Sequence, residues 1–109
     1  MNVVIVGCGR VGARIAVTLD QGGHRVSVVD IRSAALRRLP PEFGGKAVIG
    51  TGIDEDVLKY AGIEDADAFF AVTNGDNTNL MAAQLAQKRF NTRQVAARVY
   101  DPVRAESYR

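Results

Sequence analysis

One cysteine, one histidine, no tryptophan and three prolines stand among the 109 residues of this chain. A lone Cys8 can close no internal disulfide and build no multi-cysteine metal site within one chain, which suits a reducing compartment. No apolar run approaches the ~20 residues that a membrane span requires, and the first residues enter an apolar strand without a basic leader. A soluble, cytoplasmic domain without direct membrane insertion is therefore expected, although it could still sit beside a membrane protein. Charge of one sign is not concentrated either: the net charge is +2 with pI ≈ 9.0, and Arg10, Arg14, Arg25, Arg37, Arg38, Arg93 and Arg104 are scattered. So thin a charge neutralises few phosphates and no aromatic ladder accompanies it, so nucleic acid is not an expected partner. Low-complexity segments and internal repeats are also missing.

What is present is the composition of an ordinary globular domain, 47% hydrophobic and 24% charged. A chain of this length forms one domain, residues 1–109, and buries roughly two-thirds of the surface its unfolded form exposes. Val3 to Val6 is a β-branched run stopped by glycine, as in a strand covered on both faces. The period then changes: Val11, Ile15 and Leu19 recur every four residues, predicting an amphipathic helix that ends at Gly22-Gly23. Further strands are predicted at 26–29, 47–49, 68–72 and 94–99. Between them come a helix capped by Ser33 that runs to Leu39, one over 54–60 closed by Gly62, and one over 77–90 capped by Asp76. Asp101-Pro102 would open another helix. Strands alternating with helices imply a doubly wound parallel sheet with right-handed crossovers, and the expected order is 3-2-1-4-5. On the long helix Leu80 falls within a polar arc defined by Gln84, Gln87 and Lys88. It would be exposed in a monomer, either as a lone surface leucine or as a subunit contact.

Gly7, Gly9 and Gly12 form G-x-G-x-x-G between a predicted strand and helix, and Asp30 closes the next strand eighteen residues beyond the last glycine. That context points to an adenine nucleotide or dinucleotide. Gly7 permits a tight turn, Gly9 lets a phosphate approach the backbone, Gly12 lets the helix pack on the strand, and the helix amino end faces the anion. Asp30 would accept hydrogen bonds from the ribose hydroxyls and repel a 2′-phosphate, favouring NAD over NADP, while Arg32 nearby works against that preference. Arg10 in the first helical turn opposes the helix dipole, an arrangement a bound phosphate would reverse. Other polar residues collect where strands stop: Thr51 and Asp54, Thr73 and Asn74, and Arg98. In a parallel sheet these ends share one edge, where open α/β folds bind ligands.

Catalysis is not expected at that edge. His24 precedes the second strand and so lies at the opposite edge, roughly 15–20 Å away at ~3.3 Å per residue. Cys8 reads as a small residue in a tight turn, because no histidine can activate it. Asp54, Glu55 and Asp56 are consecutive helical residues that point apart and cannot converge on a metal, so no metal site is expected; Asp54 reads as an N-cap or a ligand contact and the other two as solvated.

These stretches, VVIVGCGRVG, the strand ending at Asp30, GTGIDEDVLKYAGIEDADAFFAVTNGDNTN and VAARVYDP, resemble the regulator of potassium conductance family. This is the potassium-transport nucleotide-binding domain of Trk-type uptake systems (the TrkA N-terminal domain), and the likeness covers essentially the whole chain. The resemblance implies a Rossmann-like regulatory domain, not an enzyme, that binds NAD(H) or ATP/ADP. It implies assembly as a homodimer or larger ring, and gating of a membrane potassium transporter or channel from the inner face of the membrane. Carried over, Gly7, Cys8, Gly9, Arg10 and Val11, packed by Gly12, would hold the phosphates and Asp30, beside Arg32, the ribose. Thr73 and Asn74 would meet the central part of the nucleotide, Arg98 would add a polar contact, and Asp54 would lie near the adenine side. The chain stops at Arg109, before a sixth strand and the smaller C-terminal lobe of the fuller family pattern, which leaves an expectation of a shortened chain or of association through the fifth strand's edge. The rival reading is a fragment of a small NAD-dependent oxidoreductase. A third is an interaction module with an empty glycine loop.

Overall fold

The computed structural model describes residues 1–100. Five parallel strands, β1 (Asn2–Val6), β2 (Arg25–Asp30), β3 (Lys46–Ile49), β4 (Ala68–Ala71) and β5 (Gln94–Ala97), form one sheet in the order β3-β2-β1-β4-β5. The expected order is thus observed. Central β1 pairs on both sides, Val3 opposite Val26 of β2 and Ala68 of β4. Its alternate side chains therefore enter two separate cores. Val3 and Ile5 pack with α1 (Arg10–Gln21) and α2 (Ser33–Leu36) through Ala16 and Ala35. Val4 and Val6 join Phe69, Leu58 of α3 (Glu55–Tyr60) and Ala82 of α4 (Asp76–Gln84) on the other face. Double burial is why β1 reads as an unbroken apolar run from Val3 to Val6.

The helices begin and end for local reasons. α1 stops at Gly22, with Gly23 at φ +87°, and α3 is followed by Gly62 at φ +95°, a left-handed position that favours glycine. Its start is capped by Asp54, whose Oδ1 accepts from the N–H groups of Asp56 (2.9 Å) and Val57 (3.4 Å). Two predicted caps are displaced by one residue. Arg32, extended and tied through its N–H to Asp30 (2.9 Å), is the N-cap of α2, so Ser33 is the first helical residue and the regular helix ends at Leu36. Gly75 is the N-cap of α4, and Asp76 starts the helix.

α4 passes into a π-helical turn at Leu85–Arg89, where the N–H of Phe90 reaches the carbonyl of Leu85. Its buried side is not the one its leucines suggest. Asp76, Asn79, Ala82 and Ala86 face inward, Leu80 is half-buried rather than exposed, and Met81 is the exposed apolar residue. On α1 the contact face likewise centres on Gly12 and Ala16, leaving Val11 at 43% exposure. The expected helix at Asp101-Pro102 and any sixth strand lie outside the described residues. Among those residues no helix is long and apolar enough to cross a membrane.

Candidate functional site

The carboxyl ends of the strands open into a crevice of about 360 Å³, at the small end of the range for small-ligand pockets. Its walls come from the turns after β1, β2, β3 and β4. Gly7 sits at φ +106°, and a Cβ there would lie 2.8 Å from the backbone N of Thr73. The residue is glycine because two turns meet at that point. A Cβ on Gly12 would run into the carbonyl oxygen of Gly7, so helix and turn touch backbone to backbone. Gly9 differs from both. It caps α1 in extended conformation, lines the crevice, and a Cβ there would meet no protein atom within 4 Å. Among the described residues nothing requires Gly9 to lack a side chain.

Asp30 forms the opposite wall. One carboxylate oxygen accepts from the N–H of Cys8 (2.8 Å) and the other from the N–H of Arg32 (2.9 Å), which aims the group across the glycine turn. Each oxygen keeps lone-pair capacity for a further donor. The amino end of α1 has no side-chain cap and no acidic residue in its first turn. α3, by contrast, carries its Asp54 cap together with Glu55 and Asp56. The positive end of α3 is thus satisfied by the protein, while that of α1 is left facing outward.

The structure brings Gly7, Gly9, Asp30, Arg32, Thr73 and Asn74 together around the crevice. The other residues predicted for the site stand elsewhere. Cys8 is fully buried beneath the turn and reaches Asp30 through its backbone alone. Burial, reinforced by the Asp30 carboxylate and opposed by Arg38, pushes its thiol pKa up, away from nucleophilic chemistry. Gly12 lies behind the turn as packing, and Arg10 and Val11 are exposed at the helix start without lining the crevice. Asp54 is outside the lining, because its carboxylate is turned back to cap α3. Arg98 lies behind the crevice: its Nη2 donates to the carbonyls of Val72 (3.0 Å) and Thr73 (3.1 Å), and its guanidinium stacks on Tyr100 at 4.9 Å.

Sequence reasoning passed over Ile31, Gly50, Gly52, Gly75 and Thr78, all of which line the crevice, and placed Thr51 at its edge without counting it in the site. Gly50 carried a readable signal, since it directly follows β3; a Cβ there would lie 2.7 Å from a methyl of Val57. Ile31, 68% exposed beside Asp30, gives the crevice an apolar lip. Among the described residues no group of three or more histidines, cysteines or carboxylates converges as a metal site.

Comparison with known proteins agrees with this fold. The TrkA-N domain family matches residues 3–109. The chain is 53% identical over 108 residues to the Trk system potassium uptake protein TrkA of Streptomyces coelicolor, covering 99% of the chain and 48% of that protein. It is 38% identical over 102 residues to the TrkA of Vibrio alginolyticus, covering 94% of the chain and 22% of that protein. The chain thus spans half or less of the length of these relatives. Among solved structures, the Kef CTD of Shewanella denitrificans in AMP-bound form superposes with a TM-score of 0.81 at 25% identity, over 99% of this chain and 65% of that one. The TrkA-N domain of the Escherichia coli inner membrane protein ybaL reaches 0.85 at 20% identity, over 98% and 78% respectively, a likeness of fold. A parallel sheet in the order 3-2-1-4-5, a glycine turn over an uncapped helix and a family match along nearly its whole length lead to one conclusion: this chain belongs to the TrkA-N domain family.

Proposed function

We propose that this chain is the nucleotide-sensing module of a potassium uptake system, acting from the cytoplasmic side on a membrane transporter or channel. The carrying observation is the pairing of Gly9 with Asp30 across the crevice: backbone open to close approach on one wall and an oriented carboxylate on the other. A diphosphate would lie against Gly9 and the free N–H groups of α1, its charge relieving the unfavourable position of Arg10. The ribose hydroxyls would donate to Asp30, Ile31 would offer apolar surface to the base, and Thr73 and Asn74 would contact the middle of the ligand. NAD(H) and ATP/ADP share the adenosine phosphate that this arrangement fits.

A regulatory role, rather than hydride transfer, is supported by the crevice's chemistry. Asp30 is its single carboxylate among the described lining residues, and both its oxygens already accept backbone N–H groups. The described lining residues include no histidine, cysteine, lysine or tyrosine to act as acid or base. A nucleotide that binds one arrangement of paired or ring-assembled domains more tightly than another shifts the balance between them, with coupling of about 1–3 kcal/mol. The transporter would respond to that shift. The test is calorimetry and thermal melting with NAD⁺, NADH, ATP, ADP and AMP. A ligand present at 100 times its dissociation constant adds about 2.7 kcal/mol of stability. Binding by at least one of the five is expected, and failure of all five removes the proposal.

A further inference from the structure

Behind the crevice, α4 buries a polar residue where a helix in this position would ordinarily bury an apolar one. Asn79 has no exposed surface, and its carboxamide is fully occupied. Oδ1 accepts from the backbone N–H of Thr73 (2.9 Å) and from the Thr73 hydroxyl (2.7 Å), while Nδ2 donates to the carbonyls of Thr73 (3.0 Å) and Arg98 (2.8 Å). One side chain thus binds both backbone groups of a crevice residue and the backbone at the end of β5. Three further hydrogen bonds run in parallel. Nη2 of Arg98 returns to the carbonyls of Val72 and Thr73, and Asp76, one turn before Asn79, accepts from the N–H of Tyr100 (2.8 Å).

A buried amide with four partners costs nothing in unmet hydrogen bonds, but it is intolerant of change: movement of any partner leaves a buried group without its bond. A leucine at position 79 would fill the same space without linking anything. What the asparagine adds is connection. Thr73 cannot move toward or away from a ligand without pulling on α4 and on the chain at residues 98–100, the point where it leaves the sheet.

We propose that Asn79 is a positioning residue that fixes Thr73 for a nucleotide in the crevice and, with Asp76, carries the occupancy of the crevice to residues 98–100. The inference rests on the nucleotide reading given above and adds the route by which binding leaves the site. Residues 98–100 are then the output segment, held by the same carboxamide that shapes the ligand's wall.

Amide hydrogen exchange with ADP, and with NADH in a parallel series, tests it. In the parent, saturating nucleotide is expected to slow exchange at residues 7–12, at Thr73 and at residues 97–100. Asn79→Asp keeps the shape and the Oδ1 acceptor but replaces the donor to Thr73 and Arg98. It should weaken nucleotide binding about tenfold and, at saturation, retain protection of residues 7–12 while losing it at 97–100. Asp76→Ala leaves the Asn79 bonds intact, so it should bind within about twofold of the parent yet lose the ligand-induced protection of the Tyr100 amide. This second variant decides the matter if the first does not fold. Nucleotide that protects residues 7–12 of the parent without affecting 97–100, or protection at Tyr100 that survives in either variant that folds, overturns the relay alone. A parent whose residues 7–12 are protected by neither nucleotide overturns the crevice reading, and the relay with it.

Discussion

Replacing Asp30 separates what the carboxylate does for the fold from what it does for a ligand, because the structure assigns it both tasks. In Asp30→Ala the N–H of Cys8, part-buried and bonded at 2.8 Å, loses its partner, as does the exposed N–H of Arg32 at 2.9 Å. A bond to a charged acceptor in a part-buried place contributes about 1.5–3 kcal/mol and an exposed one about 0.5–1 kcal/mol, so the variant should lose roughly 2–4 kcal/mol. Asp30→Asn keeps one acceptor oxygen and presents an NH₂ group to the second N–H, so it should lose about half as much. For a domain of this size 1 kcal/mol moves the melting temperature by about 4 °C. The expected order is therefore parent, Asn, Ala, spanning about 8–16 °C. A nucleotide at 100 times its parental dissociation constant should raise the parent's Tm by about 10 °C. Measured by calorimetry at the same concentration and referred to each variant's own baseline, the rise should nearly vanish in both variants, since ribose hydroxyls need acceptors on both oxygens. An Asn variant that keeps the full nucleotide shift would refute the ribose assignment. An Ala variant as stable as the parent would refute the structural half of the argument.

The motif's glycines should behave differently from one another. Gly12→Ala forces a methyl into the carbonyl of Gly7 and should unfold the domain or cost about 3 kcal/mol or more by melting, whereas Gly9→Ala, with open space around it, should fold within about 1 kcal/mol of the parent yet bind nucleotide at least tenfold more weakly. Cys8, whose folded pKa is raised by burial and the Asp30 carboxylate, should resist alkylation in the native state. Because the thiol's pKa is higher folded than unfolded, its stabilising contribution is complete below the ordinary thiol pKa and is lost as pH rises from there through the higher folded value; Cys8→Ala should flatten that slope in chemical denaturation. Phe69→Ala, at a fully buried site in the sheet, should cost about 3–5 kcal/mol of unfolding free energy in denaturant titration.

The parts of this molecule that could be read from the sequence depend on residues close together in the chain or on a strict period. β1 shows itself as four consecutive apolar residues because both its faces are covered, and the alternation of strands with helices marks the sheet as parallel, with the expected order β3-β2-β1-β4-β5 observed. Asp54 is legible as a cap because its partners, Asp56 and Val57, are two and three residues away. Gly7, Gly9 and Asp30 are legible for a related reason: a turn at one strand end and an acid at the next must lie side by side once the strands pair in parallel.

α4 resisted that reading because its orientation is decided by partners far away in sequence. Asp76 and Asn79 are polar, yet they face inward because the backbone at Thr73, Arg98 and Tyr100 offers them hydrogen bonds. No hydrophobic period encodes an attraction of that kind, and Leu80 and Met81 take the flank and the surface as a result. The same cause moved Arg98. It stands at the predicted strand end, but the carbonyls of Val72 and Thr73 are accessible from behind the crevice, and the guanidinium turns to them instead of toward the opening. Both departures put polar side chains on the hidden side of the wall that Thr73 presents to a ligand. A wall built only to enclose could have been backed by leucine and valine; hydrogen bonds with fixed directions make its position depend on residues 98–100, and make theirs depend on it.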